Sequence, residues 1–162
     1  MNRRRGNAAL ESALLLPVLL VMLLGMVEVA RVTLVFFSLQ KILYTAARWA
    51  GTQQGINFCD DTDAILAAAR NYAISGSTDT SGQPYLPNLT PEMIQFRIER
   101  VNTDTSTLDQ CDCSITGCDT AVGGRSPDFL VVSMPDGYPV RLMIPGLPTD
   151  PIPLRPQVRI PF

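Results

Sequence analysis

The sequence predicts an α+β protein in which a long N-terminal helix, membrane-spanning in its first half and amphipathic in its second, packs on a small antiparallel sheet domain with a second helix. Three observations predict it. No ionisable residue occurs from Ser12 to Val27. Beyond that run, Ser38, Lys41, Thr45, Arg48 and Thr52 recur at alternating spacings of three and four, which keeps them on one helical stripe. Further along, Ile94, Phe96 and Ile98 alternate strictly with Gln95, Arg97 and Glu99, the period of a half-buried strand.

The helix comes first. A helical crossing of the ~30 Å hydrocarbon core takes about 20 residues, and Ala8–Val27 supplies them, with Glu11 near one edge. The helical pattern then continues to about residue 50, with Phe36, Leu39, Leu43, Ala46 and Ala50 opposite the polar stripe. At 1.5 Å per residue a helix over 8–50 extends about 64 Å, roughly twice the membrane core, so its second half must pack on protein. Pro17 removes one helical hydrogen bond and is expected to kink the rod, and Gly25 weakens it further. Glu28 and Arg31 stand three apart on one face and can pair, either within the helix or with a neighbouring subunit. Trp49 is a packing residue where the helix meets the rest of the chain.

In "CDDTDAILAAARNYAISG" an alanine-rich second helix is expected, capped by Asp61 or Thr62, with acids in its first turn and Gly76 as its stop. Thr90 and Pro91 start one turn of helix at most. "IQFRIERV" is a strand, "FLVVSMPDGYPVRLMI" reads as a hairpin around Asp136-Gly137, and "QVRIPF" is a last strand that Pro161 confines to an edge. Residues 102–128 are too long for a plain connection. Asp104, Asp109, Asp112 and Asp119 within them do not fit a calcium-loop pattern.

Charge is unevenly divided. Residues 1–51 carry Arg3, Arg4, Arg5, Arg31, Lys41 and Arg48 against Glu11 and Glu28, whereas residues 52–162 carry seven arginines against thirteen acids. An acidic domain with no basic stripe speaks against nucleic acid as a partner. Arginines before the apolar run place the N-terminus in the cytoplasm and the bulk of the chain across the membrane. No small-x-small cleavage site follows the run promptly, which argues against an ordinary signal peptide. The chain has no histidine and a single lysine, which removes the usual general base, triad and Schiff-base chemistry. No catalytic residue, metal or cofactor is expected. Cys59, Cys111, Cys113 and Cys118 all lie in the acidic part, and there they read as disulfides, with three connectivities open, rather than as a zinc site lacking paired C-x2-C knuckles.

One feature of the helix is unexpected for a plain anchor. A carboxylate within a span costs on the order of 2.5–3.5 kcal/mol at its centre and less at its edge. Glu11 either snorkels to the interface or serves a neighbour. If the chain is cut after Gly6, Asn7 becomes a free ammonium and Glu11 the fifth residue. An ammonium and a carboxylate on adjacent, axially staggered subunits would then neutralise each other.

The first third of the chain resembles the TadE-like pseudopilins of the tight-adherence (Flp/Tad) pilus system. The resemblance rests on Arg4-Arg5-Gly6, Ala9-Leu10-Glu11-Ser12-Ala13-Leu14, Leu16-Pro17, Gly25-Met26-Val27-Glu28-Val29-Ala30-Arg31 and Ala46-Ala47-Arg48-Trp49-Ala50-Gly51. Ser12 departs from the pattern, because major pilins of this system carry an aromatic there. The resemblance implies a pilin-like fold and cleavage at Gly6–Asn7 by a prepilin peptidase, with Glu11 as an assembly residue. It also implies partners among the other pilins and the inner-membrane assembly platform, besides the lipid bilayer. The expected organisation is a cytoplasmic leader (1–6), the long helix (7–51) and an exported α+β domain (52–162) with a disulfide-containing loop. The expected function is that of a minor pilin, in the inner membrane with its C-terminal domain periplasmic and extracellular once assembled. The competing expectation is an uncleaved single-pass binding protein, which would retain Met1.

Overall fold

The computed structural model describes residues 3–111, 113, 127–143 and 150–162. Helix α1 spans Arg3–Gly51 and runs without a break through Pro17. At 1.5 Å per residue it is about 74 Å long. The break in its character falls where the sequence places it. Every residue from Glu11 to Val27 is exposed, whereas Leu39, Ile42, Leu43, Ala46, Ala47 and Ala50 are buried. The polar stripe of Ser38, Lys41 and Arg48 faces outward.

Helix α2, Ala64–Ser75, packs along the end of α1. Its buried face includes Leu66, Ala69, Ala73 and Ile74, and Trp49 of α1 lies 5.9 Å from Tyr72 of α2 between ring centroids. The cap is Asp63, not Asp61 or Thr62. Its Oδ1 accepts from the amides of Ile65 and Leu66, satisfying two donors that a helix start leaves open. No acid occupies the first turn. The acids that precede the helix have other uses. Asp60 Oδ1 accepts from the Thr62 amide and hydroxyl, and Asp61 pairs with Arg70 at 2.9 Å. Gly76 ends the helix at φ +78°, its amide donating to the Tyr72 carbonyl.

A single 3-10 turn, Pro91–Met93, leads into β1 (Gln95–Asn102). Strands β2 (Thr107–Gln110), β3 (Phe129–Ser133) and β6 (Gln157–Pro161) complete an antiparallel sheet in the order β2-β1-β3-β6. Phe96 and Ile98 of β1 and Leu130 and Val132 of β3 share the face turned to the helices. Strand β6 is an edge, as Pro161 requires.

The expected hairpin around Asp136-Gly137 does not form. The turn is present: the Gly137 amide donates to the Met134 carbonyl, and φ at Gly137 is +79°. However, both sides of β3 are already taken by β1 and β6, so β4 (Tyr138–Val140) leaves the sheet and pairs with β5 (Ile152–Leu154). A Cβ at Gly137 would meet Pro153 Cβ at 2.8 Å, so this turn needs glycine for both conformation and space.

Candidate functional site

The residues singled out in the sequence fall at three levels along α1. Gly6 and Asn7 lie in its first turns, and side chains before Glu11 lie outside the described residues. Glu11 is exposed at the start of the apolar run. From there to Val27 every residue is exposed: Leu14 is 68% and Leu23 59% exposed. It is a helix long and apolar enough to cross a membrane. A surface this apolar around a whole helix is stable only against lipid or other apolar helices.

The second level is the junction. Arg31 Nη2 lies 2.8 Å from Glu28 Oε2, so the pair closes within the helix, in the turn directly after the apolar run. It does more than neutralise itself. Arg31 also donates to the backbone carbonyl of Arg141, and the Met143 amide faces the Glu28 carboxylate. The segment after β4 is thereby tied to α1 at one height. Nothing in the spacing of Glu28 and Arg31 announces these contacts, because both partners on the segment are backbone groups.

The third level is the part of α1 packed on α2, with the cystine lying beyond the end of α1. A cavity of about 470 Å³ lies between the helices, with Ser38, Lys41, Thr45, Tyr72 and Tyr85 on its walls. Cys59, in the connection between the helices, is bonded to Cys113 just after β2, at a Cα separation of 5.5 Å. Cys111 is likewise in a disulfide, and Cys118 lies outside the described residues. Cysteines oxidised to disulfides have no thiolate to offer a zinc ion. Among the described residues no cluster of three or more His, Cys, Asp or Glu is arranged to hold a metal. Asp104 lies in the β1–β2 turn and Asp109 on β2, while Asp112 and Asp119 lie outside the described residues.

Sequence reasoning overlooked Arg70. Its Nε donates to the Ile94 carbonyl, its Nη1 to the Asp61 carbonyl, and its guanidinium lies 5.7 Å from the centre of the Phe96 ring. It joins α2, the helix connection and the first strand. An arginine on an otherwise alanine-rich helix face was the available signal.

Residues 6–48 match the family model described as TadE-like protein. The chain carries a TadE-like segment. The match covers α1 apart from its ends and takes in Glu11, the apolar run, the Glu28–Arg31 pair and the buried Ala46 and Ala47, and it leaves the sheet domain unmatched. No curated protein and no solved structure gave a significant match. The matched segment coincides with the helix that is long and apolar enough to cross a membrane.

Proposed function

We propose that the chain is a minor pilin, or pseudopilin, of a Tad-type pilus, acting in assembly, initiation or tip structure. Residues 1–6 form a cytoplasmic leader that a prepilin peptidase removes between Gly6 and Asn7. The mature chain is held by α1 in the inner membrane with residues 52–162 in the periplasm, and it is drawn into the pilus through contacts with other pilins and the assembly platform. The observation that carries this reading is the coincidence of the TadE-like match with a half-helix whose apolar side chains are exposed all round. Such a surface is served by lipid before assembly and by neighbouring helices after it.

In this account Glu11 neutralises the Asn7 ammonium of an adjacent subunit and so sets the axial stagger. Glu11→Gln keeps the polarity and removes the charge, leaving that ammonium uncompensated in an apolar setting. In a strain lacking the wild-type copy, the variant is expected to insert and be cleaved normally, while co-purification with other pilins and surface piliation fall. Normal piliation would reduce Glu11 to an interface residue.

The cavity between α1 and α2 favours a second reading, an uncleaved anchored protein that binds a ligand outside the membrane. The two readings differ in the first residue of the chain found in the membrane, Asn7 or Met1.

A further inference from the structure

The contact between α1 and the segment after β4 fixes more than a loop. Residues 141–143 are irregular backbone, held to Glu28 and Arg31. Irregular backbone is not stable against hydrocarbon, where its polar groups find no partners. A bilayer surrounding the apolar run of α1 must therefore end at or before Glu28. The same contact then sets residues 141–143 at the edge of the lipid.

What the chain presents there is apolar. Met143 is 72% exposed. Ile152, paired with Val140 at the same end of the β4–β5 ribbon, is 43% exposed, and Pro151 beside it is exposed as well. The exposed charges flanking them are Arg141 and Asp150, one of each sign. Scattered exposed apolar side chains are ordinary on any protein. These are not scattered: they share the end of the ribbon that α1 holds at the membrane boundary.

We propose that this end of the β4–β5 ribbon is a second membrane contact, in which Met143 and Ile152 enter the headgroup–acyl boundary of the leaflet from which α1 emerges. The partner is the lipid surface itself. Because Arg141 and Asp150 offset each other, zwitterionic lipid suffices and the contact is insensitive to salt. The inference rests on the reading of α1 as a membrane span. Its consequence is orientation: a domain on one helix is free to rotate about it, whereas helix and ribbon together fix which face the domain turns to its neighbours.

Spin-label accessibility tests this on the full chain, one copy per phosphatidylcholine nanodisc, with a nitroxide at Met143→Cys and references at Val21→Cys and Thr52→Cys. Thr52 is exposed and 24 residues beyond Glu28, about 36 Å along the helix direction. Met143 is open in the fold itself, so any protection comes from lipid. Collision with a water-soluble nickel chelate is expected to be several-fold lower at Met143 than at Thr52, and oxygen collision higher, with Val21 the most lipid-like. Equal nickel access at Met143 and Thr52, with Val21 protected, overturns the ribbon contact and leaves the span intact. Equal access at all three positions removes the span and the ribbon contact together.

Discussion

Glu28 and Arg31 meet at 2.8 Å in the helical turn that directly follows the last residue of the apolar run, and Arg31 reaches from that pair to the backbone of Arg141. The pair thus marks the place where α1 stops being a bare rod and starts being part of a fold. Above it the helix buries one face against α2, β3 and β6; below it, Glu11 to Val27 are wholly exposed.

Arg31→Gln is expected to release the segment after β4 while leaving both helices and the four-stranded sheet in place. Glutamine is too short and uncharged to hold Glu28 and the Arg141 carbonyl together. Hydrogen exchange should accelerate at residues 141–143 and remain slow across β1 and β3. Unchanged protection at 141–143 would mean that the segment is held by contacts other than this pair.

Reduction of the disulfides is expected to destabilise the domain. The Cys59–Cys113 bond joins residues 54 apart, and closing a loop of that size in the unfolded chain contributes about 4 kcal/mol. The loss should appear as a clear fall in melting temperature under reducing conditions. Four titratable thiols in the native, non-reduced protein would contradict the bonded state of these cysteines.

Acid is expected to loosen two surface loops before it affects the core. The Thr62 hydroxyl and then its amide hold the Asp60 carboxyl below its ordinary value of 3.8, and the Ser81 and Ser77 hydroxyls do the same for Asp79. A carboxyl with a lowered folded pKa binds fewer protons folded than unfolded. Its contribution is therefore complete above the unfolded pKa and is lost as pH falls through the folded one. Protection of the Thr62 and Ser81 amides, which donate to these carboxylates, should fall below about pH 4 when each rate is compared with the intrinsic rate at that pH. Protection in β3 should not fall with it. Protection unchanged at about pH 2 would tell against both contacts.

The parts of the fold legible in the sequence are those set by local periodicity. The burial of Leu39, Leu43, Ala46 and Ala50, the alternation of β1 and the stop at Gly76 each follow from spacing or from one residue's backbone preference. Strand β2 was not legible, because all four of its residues are exposed and it is held to β1 by backbone pairing and the Asn102–Asp109 side-chain hydrogen bond, neither of which leaves an apolar period. The Asp136-Gly137 turn was legible, but its outcome was not. A turn signal gives the reversal of the chain, not which strand wins the free edge, and here β6, far along the sequence, takes the place next to β3. The cap of α2 was misplaced by one or two residues among four closely spaced candidates, Asp60, Asp61, Thr62 and Asp63, each with its own hydrogen bond. Of the candidate site, Glu11 and Glu28–Arg31 stood out as charges in apolar surroundings. The backbone partners of that pair left no trace in residue type.

The intact mass of the protein recovered from its native membranes tests the central claim most directly. A pilin-type subunit processed between Gly6 and Asn7 yields a chain that begins at Asn7, and replacement of Gly6 by a bulky residue leaves a full-length precursor. A wild-type chain beginning at Met1, from which the Gly6 variant differs in mass only by the substituted side chain, would contradict the processed-pilin account and leave an anchored binding protein in its place.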